Sequence, residues 1–193
     1  MEFSSFPFIF RFLPLFLMAY YMVPESYKNF VLFFGSIVYY AFINLPCTPV
    51  ILVIIGLNYL IAKKMQKGSK TILALGLIFN IAALVFFKIG LYSMPGISFL
   101  SFQMIAFQID SYRGNIEGMQ GFGTFAIMFP KLISGPITRF NDIKAVLTGR
   151  KPISENLESG LELFVLGLSY KVLLADRLAG LWNAIQKIGF EIQ

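Results

Sequence analysis

The chain has 193 residues, of which 57% are hydrophobic, 17% aromatic and only 13% charged, with a mean hydropathy of +0.73; soluble domains carry about 25% charged residues, so this composition places the chain in a membrane. The formal charge of +6 includes no basic run interleaved with exposed aromatics, so it bears on orientation and anionic lipid, and nucleic acid is set aside as a partner. One cysteine, Cys47, reads as a small apolar residue and excludes an internal disulfide or a cysteine-rich metal site, and the absence of histidine removes the usual general base and metal ligand from these residues.

The opening FSSFPFIFRFLPLFLMAYYMVP lacks a basic n-region and a small-residue cleavage site, so it reads as a retained first span and not as a cleaved signal peptide. Four apolar stretches, at about 6–23, 30–45, 49–62 with its flanks, and 71–87, are long enough to cross a hydrocarbon core of about 30 Å. No ten-residue alternation of the barrel type recurs, which makes the expected fold all-α and polytopic. Twenty-two Phe and nine Tyr suit aromatic belts at the two interfaces. Between the third and fourth stretches, KKMQKGSK holds Lys63, Lys64, Lys67 and Lys70, whereas the 44–48 loop is uncharged. The positive-inside rule therefore puts the lysine loop and the 24–28 turn in the cytoplasm and Met1 outside. Arg11 sits inside the first stretch, where it either snorkels to the outer interface or faces a pore.

After Lys88 the character changes. Pro95 and Gly96 open ISFLSFQMIAFQIDSYRG, an apolar helix carrying Ser98, Ser101, Gln103, Gln108, Asp110 and Arg113. Gln103 and Asp110, seven apart, share a helix face, with Arg113 one turn on. Such a stripe is either a hydrogen-bonded seam between helices or the lining of a substrate or donor path.

The next distinctive stretch, MFPKLISGPITRF at 128–140, places Pro130, Gly135 and Pro136 among apolar residues. Each proline removes a backbone donor and breaks a helix, and the glycine adds a flexible point. In lipid, irregular backbone is tolerated only under protein cover or beside water, so a re-entrant or buried turn is expected here. Residues 141–151 look soluble and basic, with Asp142, Lys144, Arg150 and Lys151, and belong on the cytoplasmic side. Ser154 can cap the following helix, with Glu155 and Glu158 in its first turn. Along it Glu155, Glu158, Glu162, Ser169 and Asp176 fall on one side and Leu157, Leu161, Phe164, Leu168 and Val172 on the other. This amphipathic element, with Lys171 and Arg177 included, suits the inner interface or a helix-packing role. The chain thus divides into a four-span scaffold at 1–92 and a re-entrant and interfacial region at 93–193, together expected as a single domain, which the resemblance below implies is incomplete.

Three stretches, PGISFLSFQMIAFQIDSYRG (95–114), FPKLISGPITRF (129–140) and YKVLLADRLA (170–179), together with the opening span, resemble the membrane-bound O-acyltransferases, in particular the branch that O-acetylates alginate and cell-wall polysaccharides. Leu100 and Ser101 stand where an aromatic and a threonine are common, and Lys131 where glutamine is common. Members are much longer polytopic proteins, and the resemblance implies that their catalytic histidine lies beyond residue 193. It further implies a histidine acting as base on a sugar hydroxyl, an acyl group arriving from the cytoplasm, and an acceptor polysaccharide outside, meeting in a hydrophilic hole. Under that reading Gln103, Asp110, Arg113, Pro130, Gly135, Pro136 and Arg139 are the candidate channel or donor and substrate contacts, with Arg139 at the cytoplasmic mouth. No bound cofactor is expected; the acyl donor is left unassigned, with acetyl-CoA and a carrier-linked acyl group as candidates. The implied partners are membrane lipids and extracytoplasmic acetylation proteins, and the location is the inner membrane. A non-catalytic scaffold, a truncated member and a small transporter-like protein are the competing readings.

Overall fold

The computed structural model describes residues 3–65, 68–89, 94–116, 118–132, 135–149 and 153–191, without the side chains of 153–157, 184 and 187–191. Lys67, Arg150 and Lys151, and the side chains of Ser154, Glu155 and Leu157, lie outside what is described. The described residues are helical over most of their length and contain no strand. Two compact units are present, Phe12–Gly149 and, separately, Glu2–Arg11 with Arg150–Gln193.

In the first unit the helices are α1 (Leu13–Met22), α2 (Glu25–Ile43), α3 (Thr48–Met65), α4 (Lys70–Ile89), α5 (Ile97–Tyr112), α6 (Phe122–Ile127), α7 (Phe129–Leu132) and α8 (Phe140–Thr148). Their ends follow local chemistry. Pro14 sits in the first turn of α1, where its missing donor costs nothing. Asn44 holds the α2–α3 turn by accepting from the Cys47 amide at 3.2 Å, while its carbonyl accepts from Thr48 Oγ1 at 3.0 Å. Lys63 and Lys64 fall in the last turn of α3, where the helix dipole favours cations.

By length and composition α3 and α4 can each cross a membrane. The first apolar stretch is shorter than expected, a π-helical turn at Phe8–Phe12 leading into α1. α4 is the most exposed of the long helices: Leu75, Ile78, Ile81, Val85 and Phe86 face outward, and only Gly76 and Asn80 are buried. A stripe that narrow under an apolar outer surface is what lipid contact requires. The core is built by α2, α3, α5 and α6 around Tyr40, Ile51, Ile55, Leu100, Met104, Phe107 and Phe125.

Contacts along the helices show which ends lie together. Ser111 near the end of α5 reaches the Ala62 carbonyl near the end of α3, and Asn141 Nδ2 donates to the Asn115 carbonyl at 2.6 Å. Thr124 Oγ1 donates to the Asn29 carbonyl at 3.2 Å, bringing the start of α2 to the same end. At the opposite end Tyr40 Oη donates to the Pro95 carbonyl at 3.0 Å. Lys28, Lys63, Lys64, Lys70, Arg113, Arg139 and Lys144 therefore gather at one end, and Lys88, closing α4, lies at the other.

The second unit holds α9 (Ile153–Tyr170), a π-helical stretch at Lys171–Ala175 and α10 (Asp176–Glu191). The amphipathic helix is present, but its two sides do not continue past Tyr170 as expected. The π-helical turn widens the spiral and shifts the register, so Val172 and Asp176 leave the faces that an α-period assigns them. Lys171 and Asp176, five apart, instead pair at 2.8 Å. Both are well exposed, so this ion pair contributes little stability.

Candidate functional site

The stretch from Gly121 to Phe140 is a hairpin laid against α5. Going in, Phe122 meets Phe107 with ring centroids 4.8 Å apart, and the Phe125 carbonyl accepts from Gln103 Nε2 at 2.8 Å. At its far end the Leu132 carbonyl lies against Gly96. Coming back, Phe140 packs on Phe107 at 5.1 Å. The segment thus runs antiparallel to α5 as far as Leu132, near the start of that helix, and from 135 to 139 leads back, without regular secondary structure, to the basic end.

Local chemistry explains the course, with two corrections to the sequence reading. Pro130 does not end a helix: the break falls at Met128 (φ −48°, ψ 113°), and Pro130 stands in the first turn of the new short helix α7, where proline is tolerated. Nor is Gly135 there as a flexible point: its φ is not among the positive values that favour glycine. Its amide donates to the Lys131 carbonyl at 3.0 Å, and a side chain here would collide with Lys131 Cα and Cβ. Glycine is required by closeness.

Inside the hairpin lies Lys131, 6% exposed, although it is charged in its ordinary state. Its Nζ stands 3.9 Å from the Phe125 ring centroid and donates to Thr138 Oγ1 at 3.1 Å. Burial pushes its amine down to about 7. The flank of the hairpin is fixed by Ser36, whose Oγ accepts from the Phe129 amide at 3.1 Å and donates to the Leu32 carbonyl at 2.6 Å. Phe12, Phe16 and Tyr39 close around the Phe129 ring, with centroids 5.5, 5.0 and 5.4 Å away.

The seven expected contacts do not converge. Gln103 is buried and spent on the Phe125 carbonyl, which is a seam between helices. Asp110 is half-buried, while Arg113, Pro130, Pro136 and Arg139 are exposed and Gly135 is half-buried. Gln103 and Asp110 lie on one helix, but the second buried amide of α5 is Gln108. Arg113 and Arg139 each stand close in sequence to residues that line a common cleft. A cleft of about 530 Å³ is lined by Gly114, Asn115, Asn141, Lys144, Ala145 and Thr148. Each arginine is within two residues of a lining residue, and the Asn141–Asn115 bond ties the two walls together. The cleft opens at the basic end and is chemically suited to an anionic group, for which guanidinium offers five donors.

Sequence reasoning missed two features. One is Lys131, whose burial no spacing discloses. The other is a buried amide network in which Asn58 on α3 accepts at Oδ1 from Asn80 Nδ2 of α4 at 2.8 Å and from Gln108 Nε2 of α5 at 2.6 Å. Asn58 Nδ2 donates back to Asn80 Oδ1 at 3.2 Å and to the Ile54 carbonyl at 2.9 Å, and Asn80 Nδ2 also donates to the Gly76 carbonyl at 2.9 Å. Lone asparagines in the third and fourth apolar stretches were its visible signal. Among the described residues no cluster of His, Cys, Asp and Glu is arranged to hold a metal ion.

No family model matches the chain, and no solved structure matches it. Among curated proteins it is 30% identical to a probable alginate O-acetylase of Azotobacter vinelandii, the match covering 93% of this chain and 42% of the relative. A probable alginate O-acetylase of Pseudomonas fluorescens is 32% identical, over 93% of this chain and 40% of its own. A peptidoglycan O-acetyltransferase of Helicobacter pylori is 26% identical, over 89% of this chain and 44% of its own. The chain spans about two fifths of the length of these relatives.

Proposed function

As a relative, over nearly its whole length, of bacterial polysaccharide O-acetylases of the membrane-bound O-acyltransferase family, the chain is, we propose, the N-terminal part of an enzyme that transfers acyl groups, most simply acetyl, to hydroxyls of an exported polysaccharide. The observation that carries this reading is the reach of the match, 93% of the chain, which includes the hairpin and the helix it packs on. In this reading the Phe8–Met22 segment, α2, α3 and α4 cross the inner membrane, the basic end faces the cytoplasm, and the N-terminus lies outside. The 121–140 hairpin is then re-entrant: it enters from the cytoplasmic end, turns under cover of α2 and α5, and leaves on the side it entered. Its covered backbone supplies the irregular segment that a hole through the protein needs.

The work assigned to this chain is holding and orienting. Arg139 and Arg113 flank the cleft and receive the anionic part of the acyl donor, acetyl-CoA or a carrier-linked group. The base that takes the acceptor's proton is a histidine, which the 193 residues do not contain. Extracytoplasmic partner proteins and the polysaccharide meet the opposite face. A non-catalytic scaffold is the second reading, favoured by that missing histidine.

The deciding experiment compares acetyl transfer to polysaccharide by a complete protein containing this segment with transfer by the purified 193-residue chain. Transfer by the first and none by the second is the expected result, because the 193 residues hold no histidine to act as the base. A complete protein without transfer supports the scaffold; transfer by the short chain overturns the assignment of the base. Orientation is checked separately. A cysteine placed at Gly68, exposed beside α4, is expected to resist an impermeant thiol reagent in intact cells and to react after lysis. Strong labelling from outside reverses the topology.

A further inference from the structure

We propose that Lys131 is a positioning residue: its amine, lying on the Phe125 ring and bonded to Thr138, latches the outgoing strand of the hairpin to the ingoing helix and so sets where Arg139 stands. The role in transfer rests on the acyltransferase reading; the latch itself does not.

The geometry closes a loop at both ends of one side chain. At its base the Lys131 carbonyl accepts from the Gly135 amide at 3.0 Å, and at its tip Nζ reaches Thr138 Oγ1 at 3.1 Å. Among the described residues, this is the one side-chain hydrogen bond that holds the 135–139 segment. Arg139 follows Thr138 directly and leads into α8, so the latch fixes the point from which the guanidinium projects.

The surroundings favour the neutral amine. α6 contributes only the Phe125 ring, and the outgoing strand contributes Thr138 and, beyond it, the exposed Arg139. α2, packed on α7, brings Ser36 and the Tyr39 phenol to Phe129; its charged residues Glu25 and Lys28 belong to its opposite end. α5 and α8 carry Asp110 and Asp142, and among the described residues no carboxylate pairs with Lys131. An ammonium here has three donors, one acceptor and one ring face. A neutral amine, with one donor fewer and no charge to solvate, leaves less unmet when Thr138 Oγ1 accepts its single hydrogen bond. Burial costs the charged form, and a methyl-tipped chain of similar length would avoid that cost altogether.

The sign of the pH effect follows. Between about 7 and the ordinary lysine value of 10.5 the unfolded chain carries the proton and the folded chain does not. Stability contributed by this group therefore rises with pH across that window and is flat below it.

The test uses the complete protein with Lys131→Met and Lys131→Gln, read by melting temperature from pH 6 to 10 and by kcat and KM for acyl transfer. Lys131→Met is expected to melt higher than the parent at pH 7, to lose the parent's rise toward pH 10, and to transfer about tenfold more slowly in kcat. Lys131→Gln, whose amide can still donate to Thr138, is expected to lose the same pH dependence but keep kcat within about threefold. A fully active methionine variant overturns the positioning role, and so does an inactive glutamine variant. A parent whose melting temperature does not change between pH 7 and 10 overturns the buried neutral amine. If the parent transfers no acyl group, the acyltransferase reading fails, while the melting profiles still decide the latch.

Discussion

Arg139→Ala, in a complete protein containing this segment, is expected to lower acyl transfer about ten- to hundredfold while leaving insertion and melting temperature unchanged. The reason lies in how little Arg139 does for the fold. It is exposed at the residue before α8, with extended backbone (φ −75°, ψ 147°) and no side-chain cap bond to the helix. Among the described residues its guanidinium staples no carbonyl, so removing it opens neither a cavity nor an orphaned donor. What it has is position. It stands two residues before Asn141, which lines the cleft at the basic end, on a segment held by Gly135 and by the Lys131–Thr138 bond. Losing one charged hydrogen bond to an anionic group costs about 1.5–3 kcal/mol, which sets the size of the expected rate loss. Lysine, a flexible point charge in place of a planar fork, should recover only part of it. Full activity in the alanine variant eliminates the contact, and parallel loss of melting temperature identifies a structural staple instead.

The largest stability loss is expected from Asn58→Leu, about 2–3 kcal/mol, exceeding either Asn80→Leu or Gln108→Leu. Asn58 is the hub: its Oδ1 accepts from two amides and its Nδ2 donates to two carbonyl oxygens. Leucine there strands Asn80 Oδ1 and Gln108 Nε2 in a fully buried site, and stranded buried groups cost more than the bonds were worth. Membrane hydrogen bonds average only about 0.6 kcal/mol each, so the loss comes from how many are broken at once. The double variant Asn58→Leu with Gln108→Leu should be less destabilised than the sum of the singles, because the second change removes a group the first has stranded. Gly76→Ala tests the same junction from α4: Gln108 lies so close to Gly76 that any Cβ must displace it. Melting temperatures of the five variants settle the order; an Asn58→Leu protein as stable as the parent removes the network from the energetics.

The helical class was legible in the sequence because a bilayer demands internally satisfied backbone, and the long apolar runs leave only helices to provide it. The irregularity of 128–140 was legible because two prolines and a glycine restrict backbone whatever surrounds them. So was the resemblance, since motifs in order are a property of the chain alone. Tertiary structure decided the rest. Helical spacing grouped Gln103 with Asp110, yet Gln103 is taken up by α6 and the buried amide through which α5 joins the Asn58–Asn80 pair is Gln108. Periodicity assigns side chains to a face of one helix, whereas the partner on the next depends on how the helices are rotated and how far each slides along the other. Lys131 shows the same limit. Its sequence neighbours say nothing of its burial, and only the return of the 135–139 segment, which brings Thr138 and Phe125 to its amine, makes it a buried residue. Solvation of a charge is set by everything within a few ångströms of it, and those neighbours come from separate parts of the chain brought together by folding.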